Sequence, residues 1–206
     1  MANSVNVLDL VPADAERILG EYFASRGQPA YRARQVVHRL WKNPVRTFDE
    51  MTELPAGARS ELAGHFSLPR LEIVERQRSV DGTQKFLFRL DDGQGIETVA
   101  IPEDDRVTLC ISSQAGCALK CAFCATGQMG FQRNLHPWEI AAQVREMRLI
   151  EDPLLVTNVV FMGMGEPMMN WQAVDPALTI LNSPDGLGIG ARHITVSTVG
   201  VLPGIV

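Results

Sequence analysis

The sequence is short of several things at once. No apolar run approaches the roughly 20 residues that a membrane-spanning helix needs, and none of the first ten residues is basic. That opening also holds Asn3, Asn6 and Asp9, so it makes a poor secretory leader. A cytoplasmic protein that does not engage membranes is the expectation. There is no internal repeat and no low-complexity stretch, and the average composition excludes a disordered, collagenous or coiled-coil chain. Cysteine is scarce and confined: the four residues Cys110, Cys117, Cys121 and Cys124 fall within one short stretch of a 206-residue chain. A secreted disulfide scaffold is smaller and denser in cysteine. Clustered cysteines in a chain of this length point to metal or redox chemistry in a reducing compartment.

The length suits one domain, or one domain with a small accessory. The net charge of −5 is unevenly spread, +1 over residues 1–70 and −6 over 71–206. Six basic residues (Arg26, Arg32, Arg34, Arg39, Lys42, Arg46) occupy 26–46 without an acid, interleaved with Tyr31, His38 and Trp41. Cations neutralise phosphates and aromatic rings stack on unpaired bases, so this stretch is a candidate RNA contact. A solvated helix face with inward-packed aromatics would look the same.

The first 70 residues have helical periodicity. Ile18, Leu19, Tyr22 and Phe23 share one face, with Gly27 as a stop. Pro29 suits the first turn of a second helix whose inner face is Val36, Val37, Leu40 and Trp41. Thr47 and Glu50 fit a capping box, and Pro55 opens a third helix ending near 64–66. From residue 71 the pattern turns to β. Strands are predicted over 71–80 and 83–90 around a two-residue Asp81-Gly82 turn, then over 96–101 and 107–112. Helices over 137–150 and 171–181 then alternate with apolar strands over 156–162 and 193–197. Such alternation predicts an α/β parallel sheet or barrel. The expected division is a helical module (1–70), a β extension (71–105) and an α/β core (106–206).

Gly116-Cys117-Ala118-Leu119-Lys120-Cys121-Ala122-Phe123-Cys124 places three thiols in one loop directly after a strand. Structural zinc takes four ligands, usually as two separated pairs, and here His136 or Cys110 would have to supply the fourth. An iron–sulfur cluster normally takes four cysteines, so a three-cysteine loop implies an iron with an open position. Farther on, Gly163-Met164-Gly165-Glu166-Pro167 is a Gly-rich turn after a strand. Its glycines admit close backbone approach, and Glu166 stands at the carboxyl end of a strand, where α/β folds bind ligands.

The Cys-x3-Cys-x2-Cys spacing, with Phe123 before the third cysteine, resembles the signature of the radical S-adenosylmethionine superfamily. That resemblance implies a [4Fe–4S] cluster on Cys117, Cys121 and Cys124, with S-adenosylmethionine chelating the fourth iron. It also implies a methionyl-amine site at Gly165 and Glu166, with Ser197 reaching the same ligand from the next strand. The longer run from Leu109 to Leu135 is similar to the RlmN/Cfr family of radical RNA methyltransferases. This implies a partial (βα)6 barrel behind an RNA-contacting module, and methylation at C2 of adenosine in 23S rRNA and tRNA through a methyl-cysteine. A flavodoxin-type reductant and a monomeric state are further expectations. Within the resemblance, Glu97 is the proton acceptor and Cys110 the resolving cysteine. Arg133 and Asn134 are substrate contacts or solvated loop residues, and Met129, Met162, Met164, Met168 and Met169 are packing. Methylation at C8, another radical enzyme, or a zinc RNA-binding module are the competing readings.

One departure matters. The family's methyl-carrying cysteine lies near the C-terminus, and no cysteine follows Cys124. About three βα units are visible, so a truncated barrel is expected. The purified 206-residue chain should therefore leave RNA adenosine unmethylated; mass spectrometry of treated RNA checks this, and methyladenosine formed by the chain alone would refute it.

Overall fold

The computed structural model describes residues 4–201. Residues 202–206, where the sequence suggested an unfinished barrel, lie outside the described residues, as do 1–3. The chain begins with β1 (Val5–Asn6), α1 (Pro12–Ala24) and α2 (Tyr31–Trp41). A 3-10 turn at Phe48–Glu50, α3 (Ala56–His65) and β2 (Phe66–Ser67) follow, and β2 pairs in parallel with β1 to close the module on itself. Pro12 starts α1, and Gly27 stops the chain behind it at φ +64°. The buried face of α2 is Ala33, Val36, Val37, Leu40 and Trp41, as its spacing predicts. Trp41 is thus core and not a base-stacking platform. Pro29 stands two residues ahead of α2 and outside it.

The capping box expected at Thr47 does not form. The segment is a single 3-10 turn, Thr47 makes no capping bond, and Glu50 accepts instead from the Arg46 amide at 3.0 Å. A glutamate does reach back at another helix, where Glu139 accepts from the His136 amide at 2.8 Å.

The second half is built on one six-stranded sheet. Its strands are β3 (Glu72–Arg78), β4 (Gln84–Arg89), β5 (Gly95–Glu103), β6 (Arg106–Cys110), β9 (Asn158–Phe161) and β10 (Ile194–Val196). The spatial order is β10-β9-β6-β5-β4-β3. The first four run antiparallel, and β6, β9 and β10 are parallel. The β extension and the core therefore share one sheet. Helices α5 (Pro137–Met147) and α6 (Trp171–Asn182) form the crossovers between the parallel strands. Two short strands, β7 (Gln114–Gly116) and β8 (Phe131–Asn134), pair antiparallel and hold the cysteine loop and the short α4 (Ala125–Met129) between them.

The turn at Asp81-Gly82 has three residues, not two. Ser79 and Thr83 pair at 2.8 Å, only Gly82 takes a positive φ, and the Asp81 carboxylate accepts from the Thr83 amide. Asp81 satisfies that amide while staying in the ordinary φ range, so the two-positive-φ turn is not needed. The Leu90–Gln94 loop repeats the arrangement around Gly93.

Helix α5 is buried along nearly its whole length between the sheet and the N-terminal module. Four of its buried residues are polar or charged, and each finds partners on a different neighbour. Gln143 accepts from Thr98 Oγ1 (2.7 Å) and the Ser112 amide (2.8 Å), and donates to the carbonyls of Ser112 and Glu139. Arg145 is fully buried; it donates to the carbonyls of Leu40 (2.8 Å) and Val45 (2.5 Å). Burial pulls its guanidinium down to about 10, so it stays charged at neutral pH. Just beyond the helix, Arg148 donates to the carbonyls of Trp41, Lys42 and Leu187. The last carbonyls of a helix lack intrahelical donors, and two guanidinium groups here supply them for α2. Glu146 is held by Arg70, and Glu139 by Arg133.

Arg145→Ala leaves two carbonyls and the Glu146 carboxylate without this donor. We expect a loss of about 3 kcal/mol of stability, measured as a lower urea midpoint with an unchanged slope; a parent-like midpoint would contradict the capping role.

Candidate active site

One face of the six-stranded sheet packs against α5 and α6; the other is open. Register fixes which residues share the open face, because directly opposed strand residues point the same way. Lys85 stands opposite Val99, Val99 opposite Cys110, Cys110 opposite Val160, and Val160 opposite Thr195. This single row crosses five strands. Glu97 lies two residues from Val99, so it shares the face and sits diagonally from Cys110. Their alternates Thr98, Leu109, Val159 and Phe161 are buried on the helix side. Glu97 and Cys110 are thus brought to one surface by β-sheet parity alone.

The cysteine loop folds beside this surface. Cys124 precedes α4 and its amide donates to the Cys121 carbonyl at 3.0 Å, while the Cys117 amide donates to the Gly130 carbonyl at 3.1 Å. Glycine is required at 116: φ is +77°, and a Cβ would lie 1.8 Å from the Gly130 oxygen. All four cysteines are free thiols, Cys117 buried and the others half-buried. Among the described residues no three His, Cys, Asp or Glu side chains converge on a point where one metal ion could sit. A zinc site would need His136 or Cys110 on the same ion as the three loop cysteines. A cluster takes its thiolates on separate irons, and three soft donors with no fourth suit one iron left for an external ligand.

Across from the loop is the turn after β9. A Cβ on Gly163 would fall 2.7 Å from the Ile111 oxygen, and one on Gly165, at φ +99°, would fall 2.5 Å from the Gln114 Cβ. The two glycines let the turn press onto the strand that leads to the cysteines. Glu166 is 3% exposed. Its carboxylate accepts from the Met168 amide (3.1 Å), from Thr198 Oγ1 (2.5 Å) and from the Val199 amide (3.0 Å). A carboxylate has about four acceptor positions, so one remains for an ammonium group. Ser197 is exposed just past β10, and it is its neighbour Thr198 that contacts Glu166.

A cavity of about 430 Å³ lies between the sheet face and the loop, lined by Lys85, Leu87 and Glu97 on one side and Gly116, Thr126 and Met129 on the other. Lys85 Nζ sits 2.9 Å from Glu97 Oε1. Burial pushes the Cys110 thiol up, opposed in part by a backbone hydrogen bond at Met162. Arg133 and Asn134 are engaged internally. Arg133 forms a bidentate pair with Glu139 at 2.7 and 2.8 Å and also holds Asp92, and Asn134 Oδ1 accepts from Gln114 Nε2 at 2.8 Å. Of the candidate RNA contacts, Arg26, Arg34 and Arg39 are paired with Glu61, Glu16 and Glu53.

Sequence reasoning missed Gln114, Ser112, Asn170 and Thr198. Ser112 donates to the Glu97 carbonyl and accepts from the Met164 amide. Asn170 donates to the carbonyls of Ser113 and Leu135. No spacing marks these residues, because each acts through a partner distant in sequence. The Ser112-Ser113-Gln114 run of small and polar residues after an apolar strand was the one available signal.

A three-cysteine loop after the first parallel strand, facing a Gly-Glu-Pro turn after the second, defines a radical S-adenosylmethionine core. Residues 111–205 match the Radical SAM superfamily, and residues 5–68 match the Ribosomal RNA large subunit methyltransferase N-terminal domain. The probable dual-specificity RNA methyltransferase RlmN of Gemmatimonas aurantiaca is 67% identical over 201 residues, covering 98% of this chain and 56% of that protein. The protein of the same description from Desulfitobacterium hafniense strain Y51 is 46% identical over 196 residues, covering 91% and 55%. The structure of a radical SAM methyltransferase from Sphaerobacter thermophilus superposes with a TM-score of 0.85 at 44% identity, over 98% of this chain and 59% of that one. Over nearly its whole length the chain is similar to the RlmN family, with a radical SAM match behind an RlmN-type N-terminal match. It spans about half the length of the curated relatives it matches. The family implies a [4Fe–4S] cluster and S-adenosylmethionine, and the donors described above fit both. No helix among the described residues is long and apolar enough to cross a membrane.

The raised Cys110 thiol gives a pH prediction. A thiol alkylates as its thiolate, so the iodoacetamide rate at Cys110 should climb at higher pH than that of free cysteine. Peptide mass spectrometry across a pH series reads this, and a midpoint at or below that of free cysteine would refute it.

Proposed function

We propose that this chain carries the cofactor-binding and base-handling groups of an RNA methyltransferase acting at C2 of adenosine. The observation that carries the reading is the row across the sheet. It sets Glu97 and Cys110 on one face, with the cysteine loop and the Glu166 turn at its border. Bound together, the cluster and S-adenosylmethionine would supply a 5′-deoxyadenosyl radical, which suits an electron-poor ring carbon.

In this reading Cys117, Cys121 and Cys124 hold the cluster. Gly165 and Glu166 hold the methionyl ammonium in the remaining acceptor position, with Ser197 alongside. Glu97 accepts the proton leaving the base, and a general base must reach that proton; its place on the cavity wall supports this role. Cys110 is the resolving thiol, and release of the product by thiol exchange then requires later reduction. The methyl-carrying cysteine is supplied by none of the four present.

The helical module (1–70) is the RNA-contacting part, 71–105 the β extension and 106–206 the radical core. The relatives' description as dual-specificity RNA methyltransferases supports two RNA substrates, taken here as 23S rRNA and tRNA. A flavodoxin-type reductant, a monomeric state and a cytoplasmic location complete the proposal.

Anaerobic reconstitution with iron and sulfide tests the metal assignment. The expected product is brown, absorbing near about 400 nm from thiolate-to-iron charge transfer. Cys117→Ala, Cys121→Ala and Cys124→Ala should each abolish the colour, and Cys110→Ala should keep it. A colourless protein with bound zinc would overturn the reading.

A further inference from the structure

The cysteine loop and the Glu166 turn come from different parts of the sheet, yet they must be spaced correctly for one ligand to touch both. Besides the Ser112 and Asn170 contacts, one buried side chain reaches Glu166 itself. Gln114 opens β7, three residues before Cys117, and is 1% exposed. Its Oε1 accepts from the Glu166 amide at 2.9 Å, and its Nε2 donates to Asn134 Oδ1 at 2.8 Å. Its backbone amide donates to the Met164 carbonyl at 3.2 Å. Asn134 is on β8, the far strand of the hairpin that holds the cysteines. One amide side chain, carried by β7, therefore links β8 through Asn134 to the backbone of Glu166.

Two features show that this contact sets a distance and does not merely fill space. Gly165 is closed against Gln114, since a Cβ there would fall 2.5 Å from Gln114 Cβ and 2.8 Å from its amide nitrogen. The Glu166 carboxylate is held from its other side by Met168, Thr198 and Val199, so its backbone and its carboxylate are fixed by different partners. A buried amide whose acceptor and donor are both used is rigid, and removing it would leave the Glu166 N–H unsatisfied.

We infer that Gln114 is a positioning residue, fixing Glu166 relative to the three cysteines so that one S-adenosylmethionine can meet both. This rests on the reading of Glu166 given under Proposed function. It predicts a separation of effects. Loss of Gln114 leaves the cysteines able to hold a cluster but moves Glu166 off the ligand. Partners of this indirect kind are worth about 10–100-fold in affinity at metal sites.

The test uses the whole 206-residue chain with the variants Gln114→Leu and Asn134→Ala. Each is reconstituted anaerobically, its iron content is measured, and it is titrated with S-adenosylmethionine by equilibrium dialysis. Exchange of the Glu166 amide is followed in parallel by NMR. Expected are parental iron content in both variants, an affinity about tenfold or more weaker in Gln114→Leu, and a smaller loss in Asn134→Ala. The Glu166 amide should exchange faster in the same order. Unchanged affinity in both variants overturns the inference. So does an iron content that falls in step with affinity, which would make Gln114 general scaffolding for the hairpin. Should Gln114→Leu not fold, Asn134→Ala decides, because Asn134 is exposed: parental exchange and parental affinity there overturn the inference. Failure of the underlying reading shows in the unmodified chain, as absent iron or absent S-adenosylmethionine binding, before any variant is compared.

Discussion

The structure depends on a helix that has no free side. Helix α5 lies between the sheet and the N-terminal module, and a helix in that position is normally apolar all round. This one instead buries Glu139, Gln143, Arg145 and Glu146. Each is tolerable only because a partner waits on a different neighbour. A buried ion or amide without its partner would cost several kcal/mol (about 3–5 for a buried charge), so the partners are obligatory. The helix thereby fixes three assemblies at once: the α2 carbonyls through Arg145, β5 and the segment after β6 through Gln143, and the cysteine hairpin through Glu139 and Arg133.

The site inherits its order from that arrangement. Gln143 ties Thr98 within β5 to the Ser112 backbone just past β6 from the helix side, so the residues facing the other way, Glu97 and Cys110, stand on a stiff surface. Glu139 accepts both guanidinium nitrogens of Arg133, which steadies β8 and, through Asn134, Gln114. The cysteines and Glu166 lie on loops, and the groups that place those loops lie on one helix and one sheet face. This division lets the cysteine loop carry strained backbone, such as Lys120 at φ +49°, without loosening the site as a whole.

Much of this was legible in the sequence. Period-2 and period-3.6 patterns gave the main strands and helices to within a few residues, because burial on one face imposes those periods directly. The cysteine spacing and the Gly-Glu-Pro turn marked the candidate ligand-binding loops because chemistry restricts residue type there. Glu97 was reached only through resemblance; an isolated strand carboxylate carries no pattern. The short strands β1, β2, β7 and β8 were missed, since two to four residues hold too few alternations to register. Thr47 and Glu50 misled because a capping box is a local motif that the Arg46 amide outcompeted. The roles of Gln114, Gln143 and Arg145 were illegible for another reason: a buried polar residue is defined by its partner, and these partners lie far away along the chain.

The capping of α2 by Arg145 and Arg148 bears on how this architecture can be taken apart. The helical module looks like a detachable bead, with its own ends closed by β1 and β2. Its second helix nevertheless terminates on cations that belong to the core. A recombination point near residue 70 would separate carbonyls from donors and strand two guanidinium groups, one of them fully buried. Modularity in sequence is thus not autonomy in folding. A chimera that moves this module to a new scaffold must carry α5, or rebuild its cationic edge, along with it.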